Sequence, residues 1–168
     1  VWNSLFPEKR TFSTLNFNTA ILQGNTGNTG GGFSGGNILR QGIAGDFNAA
    51  AGTQGINPFV DAKWYFEVES TATSNGSSID VGYGWIGESL MVSDSHANNN
   101  VYAAGTIRYV SQTAHSGGDI QSVLFEGGTT PVIKFYRNDG LIHTATHGTD
   151  WTAKDEFMFP YVAVKGSS

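Results

Sequence analysis

Lys63-Trp64-Tyr65-Phe66-Glu67-Val68-Glu69-Ser70 is the stretch on which the fold turns. On an extended backbone Trp64, Phe66 and Val68 point to one side, and Tyr65, Glu67 and Glu69 to the other. A slip of one residue would bury two carboxylates and expose a tryptophan and a phenylalanine, so the pattern admits one register. The stretch is expected to be a central strand of a β-sandwich.

Similar segments follow in both directions. C-terminal to it, Ile79–Ile86 has Val81, Tyr83 and Trp85 on one face, with Gly82 and Gly84 opposite. Thr106–Val110, Asp119–Phe125, Val132–Arg137, Leu141–Thr146 and Phe157–Val164 continue the series, and Asn138-Asp139-Gly140 is a hairpin signal. N-terminal to it, Phe12–Phe17 suits an edge or bulged strand and Ile38-Leu39-Arg40 another. Phe47–Ala51 is the only place where a helical turn is expected. The glycine-rich run 24–37 lacks the Gly-Lys-Ser/Thr ending of a phosphate-cradling loop, and no helix pattern follows it. It reads as a flexible surface loop. Residues 87–106 read as a long connection, and Asn75-Gly76-Ser77 as a turn with the form of a glycosylation acceptor. Short strands at even spacing, separated by glycine and asparagine turns, predict an all-β, antiparallel two-sheet β-sandwich. Its expected core holds Trp64, Phe66, Val81, Ile133, Phe135 and Val162, nearly fully buried.

The composition narrows the function. The chain has 168 residues, of which 39% are hydrophobic and 12% aromatic, enough for a core in one domain spanning 1–168. Only 14% are charged, against roughly 25% in ordinary soluble domains. Asn, Ser, Thr and Gly must therefore make the surface, a composition common on extracellular and virion proteins. A net charge of −5 argues against nucleic acid, whose phosphates require a basic patch. There is no cysteine, hence no disulfide frame and no thiolate chemistry. No apolar run approaches the roughly 20 residues of a membrane span. The chain starts at Val1 and is expected to be part of a longer polypeptide.

Five segments together resemble the SPRY domain, a concanavalin-like sandwich. They are Lys63–Glu69, Val81-Gly82-Tyr83-Gly84-Trp85, Gly118–Leu124, Ile133–Gly140 and Phe159-Pro160-Tyr161-Val162-Ala163-Val164, in family order over roughly the C-terminal two thirds. The opening Trp2-Asn3-Ser4-Leu5 and Thr11-Phe12-Ser13, before a glycine- and asparagine-rich loop, is similar to SPRY-like domains embedded in bacteriophage tail and other virion structural proteins. Ser122 departs from the family's glycine, Glu126–Pro131 replaces its usual acidic hairpin, and residues 40–62 are longer than its usual approach to the tryptophan strand. Loops are where such domains bind, so the partner does not carry over.

Three kinds of chemistry are open. Glu67 and Glu69 lie about 6.5–7 Å apart on one strand face; concanavalin-like glycosidases place paired carboxylates on a strand of this kind, and the separation suits acid and nucleophile or base roles. A third acidic residue farther along the strand is missing, and the pair reads as a solvated face. His143 and His147 are four apart, which serves a metal only on a helix, whereas Asp94 and His96 are loop residues that could contribute to a divalent ion site. No metal and no cofactor is assigned. Tyr102, Tyr109 and Trp151, with Asn98, Asn99 and Asn100 nearby, have the makings of a shallow sugar site, in which rings stack and amides bond hydroxyls.

The resulting expectation is a non-enzymatic recognition module of a phage tail fibre or appendage, located on the virion. It would bind host-surface glycan through the 87–106 loop, with Trp151 as a second wall. Its other partners would be virion subunits, including further copies of itself in the parent assembly, with no membrane insertion. An architectural virion domain making only protein–protein contacts is the alternative, and a glycan-cleaving enzyme using Glu67 and Glu69 the third.

Overall fold

A computed structural model describes residues 15–16, 32–34, 38–40, 47–52, 55–69, 78–85, 91–95, 100–103, 106–110, 117–152 and 156–165. Its strands are β1 (Leu15–Asn16), β2 (Gly32–Ser34), β3 (Ile38–Arg40), β4 (Phe47–Gly52), β5 (Lys63–Glu69), β6 (Ser78–Gly84) and β7 (Met91–Ser95). They continue as β8 (Asn100–Ala103), β9 (Thr106–Val110), β10 (Ile120–Glu126), β11 (Val132–Arg137), β12 (Gly140–Thr146) and β13 (Phe159–Lys165). Among the described residues no helix is long and apolar enough to cross a membrane.

The strands form a seven-stranded sheet in the order β1-β4-β13-β6-β7-β8-β9 and a four-stranded sheet in the order β12-β11-β10-β5, with β2 and β3 as a separate pair. All the pairings are antiparallel. Alternation puts Val81, Tyr83 and Trp85 of one sheet against Val123, Phe125, Ile133, Phe135 and Ala145 of the other, in one cluster with Val162, Met158 and Ile56. Tyr83 is the hinge of this packing, meeting Phe66 and Phe125 edge-on at 5.3 Å each. Burial pushes its hydroxyl pKa well above that of an ordinary tyrosine. The architecture is the expected antiparallel two-sheet β-sandwich.

Val81, Ile133, Phe135 and Val162 are buried as expected. Trp64 and Phe66 are only partly so, and pack on the rim of the core. The reason is the position of β5: among the described residues it pairs with β10 alone, which makes it the edge of the four-stranded sheet rather than a central strand. Its register is the one the carboxylates require, with Lys63, Tyr65, Glu67 and Glu69 exposed. Phe47–Ala51 is extended in β4, not helical, because it is clamped between β1 and β13. Such tertiary pairing overrides the weak helical preference of three alanines. From the glycine-rich run, Gly32–Ser34 pairs antiparallel with Ile38–Arg40.

Two turns lock the four-stranded sheet. Asn138 and Asp139 have φ of 47° and 66°, the two left-handed positions of a type I′ hairpin between β11 and β12. The Ile120 N–H donates to Asn138 Oδ1 at 3.0 Å and the Asn138 N–H donates to the Ile120 carbonyl at 2.9 Å, which pins the hairpin to the start of β10. At the opposite end the Gly127 and Gly128 N–H groups donate to the Ala62 and Pro58 carbonyls at 2.9 and 3.1 Å. The segment that departs from the SPRY pattern is thus the seat for the approach to β5.

Candidate functional site

Within the expected 87–106 loop the described residues are strands. Met91–Ser95, Asn100–Ala103 and Thr106–Val110 form a meander that ends the seven-stranded sheet at β9. In its backbone register Tyr102 lies opposite Ser93 and Ile107, Tyr109 opposite Val101, and Asn100 opposite Ser95 and Val110. Tyr102, Tyr109 and Asn100 are therefore neighbours at one sheet edge, on strands rather than on a loop. Asp94 sits within β7, opposite Val81 and Val101. Asn98, Asn99 and His96 lie outside the described residues, as does Asn75-Gly76-Ser77.

Trp151 is no second wall. It is 4% exposed, packs against Trp85, Phe125 and His147, and donates its indole N–H to the Ala145 carbonyl at 3.2 Å. The polar residues beside it mislead, because they build the turn that delivers it inward. Asp150 Oδ2 accepts the Thr146 N–H at 2.8 Å, and the Asp150 N–H donates to the Thr146 carbonyl at 2.8 Å. The side chain then has only the core to enter.

The two C-terminal histidines part company. His147 stacks edge-on between Phe59 and Trp151, at 5.8 and 5.6 Å. His143 lies in β12 opposite Phe135, where burial pushes its pKa below the ordinary histidine value against a smaller opposing pull from Asp150. Among the described residues no group of three or more His, Asp or Glu is placed to hold a metal ion.

The outward face of the four-stranded sheet was legible only as a solvated surface, and it holds the most organised polar–aromatic arrangement. Cross-strand partners align Lys63 with Glu126, Tyr65 with Leu124 and Lys134, and Glu67 with Ser122 and Tyr136. Glu126 takes both lysines, at 2.8 Å from Lys63 Nζ and 2.5 Å from Lys134 Nζ. The Lys134 contact is the larger influence holding its carboxyl below the usual glutamate range. Farther along, the Tyr65 hydroxyl donates to Glu67 Oε2 at 2.9 Å and is also hydrogen-bonded to Ser122. Partial burial raises the Tyr65 pKa, the Ser122 bond opposes that rise, and Glu67 adds to it. Tyr65 remains 53% exposed, whereas Ser122 beneath it is 3% exposed. The sequence signal for this feature was a tyrosine among charged residues on the polar side of β5.

No protein-family model matches the chain, and no curated protein sequence does. Solved structures do. The chain is similar to the SPRY domain of human HERC1 with a TM-score of 0.66 at 13% identity, covering 92% of this chain and 91% of that one. It is similar to a second human SPRY domain with a TM-score of 0.56 at 15% identity, covering 85% and 93%. A lectin from Griffonia simplicifolia, I-B4 in its metal-free form, aligns with a TM-score of 0.44 at 8% identity over 83% and 84% of the two chains. The chain shares the antiparallel two-sheet sandwich fold of these SPRY domains.

Proposed function

We propose that this chain is a non-enzymatic recognition module of a bacteriophage virion, carried on a tail fibre or related appendage and binding host-surface glycan. The observation that carries the choice of binding over cleavage is the setting of Glu67 and Glu69. Both are exposed on an open sheet face, and Glu67 accepts the Tyr65 hydroxyl through Oε2 alone. Glycoside cleavage needs carboxyl groups flanking the scissile bond, with the acid kept from water. A face of acceptors around a fixed ring suits holding a sugar instead. The SPRY-type fold supports a binding role in general terms, and the low charge and the pattern of the opening residues support the virion setting.

Single sugar contacts are weak, and appendages gain avidity from many copies. The test is therefore adhesion of beads carrying many copies of the chain to a panel of bacterial cells, with a reducing-sugar assay alongside. The expected result is strain-selective adhesion that periodate treatment of the cells removes, with no sugar release. Release that disappears in Glu67→Gln would establish cleavage instead. The architectural reading has one observation in its favour: Phe59, Leu141 and Phe157 are 42%, 58% and 61% exposed, apolar side chains of the kind a neighbouring subunit covers. Beads that adhere to no strain would favour it.

A further inference from the structure

Tyr65 pairs across the ladder with Leu124, and Glu67 with Ser122. A Tyr65 hydroxyl bonded to both Glu67 and Ser122 therefore reaches diagonally along the sheet, and its ring lies over β10 instead of standing off it. Burial agrees with this. Ser122 belongs to the outward set, since Gln121 and Val123 on either side of it are fully buried, yet it is 3% exposed. Tyr65 itself keeps 53% of its residue surface open. The hydroxyl end of a half-exposed aromatic ring is thus held in place, so little ordering remains when a ligand stacks on it.

The charges around the ring narrow what that ligand can be. Lys63 and Lys134 are both engaged by Glu126. Glu67 and Glu69 follow Tyr65 along β5, and the charge of Asp139 reaches the Tyr65 hydroxyl. The face therefore offers hydrogen-bond acceptors and a negative field. It suits a ligand with many hydroxyl donors and an apolar C–H face, and it repels carboxylated or phosphorylated sugars.

Resting on the glycan-recognition reading above, we infer that the outward face at Tyr65 is a subsite for an uncharged hexopyranose unit. The C–H face of the sugar stacks on the Tyr65 ring, and its hydroxyls donate to Glu67 and Glu69. Ser122 is a positioning residue that acts by fixing the ring. A glycine in its place would leave Tyr65 tethered at Glu67 alone.

The test is titration of the isotopically labelled chain with maltohexaose, cellohexaose, mannohexaose and galactohexaose, and with hexagalacturonate as the acidic counterpart. At least one uncharged probe is expected to shift the amides of Tyr65, Ser122, Leu124 and Tyr136, and hexagalacturonate none of them. Tyr65→Ala should weaken binding about tenfold or more, and Ser122→Gly about threefold, with melting temperatures showing that both variants fold. Tyr65→Phe keeps the ring, loses the tether and should fall between the parent and Tyr65→Ala. Shifts confined to residues 91–110 and unchanged in Tyr65→Ala would overturn this subsite and leave glycan recognition standing. Binding of hexagalacturonate or of an arginine-bearing peptide at Tyr65 would overturn the ligand class. If none of the uncharged probes binds, the subsite falls, and if the beads also adhere to no cell, the recognition reading falls with it.

Discussion

The indole N–H of Trp151 donates to the carbonyl oxygen of Ala145 at 3.2 Å, inside the core and six residues back along the chain. The ring fills the space between Trp85, Phe125 and His147. Trp151→Ala should therefore cost about 3–5 kcal/mol of stability in urea denaturation, as large-to-small aromatic changes in cores do. Trp151→Phe keeps much of the apolar volume but leaves the Ala145 carbonyl without this donor, and should cost about 1–2 kcal/mol. An unchanged midpoint in Trp151→Ala would return this side chain to the surface.

Gly127 is required for a different reason. A Cβ at this position would lie 2.2 Å from the Val60 carbonyl oxygen, 2.9 Å from Trp64 Cζ3 and 3.0 Å from the Pro58 carbonyl oxygen. Two of these neighbours are backbone, and the segment is held by the Gly127 N–H bond to Ala62, so it cannot easily retreat. Gly127→Ala should destabilise by about 1–3 kcal/mol, the range for overpacking. Trp64 fluorescence should report the displaced approach to β5.

The sequence made the core face legible because a period of two with two carboxylates on the same strand leaves one register. Val81, Ile133, Phe135 and Val162 all follow from that pattern. It could not say that β5 lies at a sheet edge, because alternation records which face is buried and not how many neighbours a strand has. Trp151 departs from the expectation because Thr149 and Asp150 look like solvent-seeking residues, whereas their polar groups form the turn. Alternation puts Tyr65 on the outward side, but it says nothing of Ser122, which lies 57 positions away in the chain and is brought beside it only by the β5–β10 register.

His143 makes stability depend on pH. Burial depresses its pKa, so the fold favours the neutral imidazole, and the contribution is fully present above the unfolded value of about 6.5. It is lost as pH falls below that value toward the folded pKa, because there the unfolded chain binds the proton more readily. The urea midpoint should fall between about pH 7.5 and about pH 5, and His143→Gln should reduce that fall. A midpoint that drops equally in parent and variant would assign the effect to other groups.

The β11–β12 hairpin is the most local of these dependencies, and its two turn residues should respond differently. Asn138 does three things at once: it holds a φ of 47°, accepts the Ile120 N–H at 3.0 Å and donates through its side chain to Asp119 Oδ1 at 2.8 Å. Asn138→Ala loses both side-chain bonds and places a Cβ without compensating contacts in the left-handed region, and it should cost about 1–2 kcal/mol. Asp139 holds the second left-handed position, at φ of 66°. Asp139→Gly creates the Asn-Gly turn that type I′ hairpins prefer, and relief of the left-handed strain there opposes the added freedom of the unfolded chain. The expected outcome is a stability that is unchanged or raised by up to about 0.5 kcal/mol. Thermal melts of the two single variants and the double variant decide it, since Asp139→Gly should recover nothing of what Asn138→Ala loses at Ile120. Full recovery in the double variant would mean that turn conformation alone, and not the tie to β10, sets the stability of this end of the sheet.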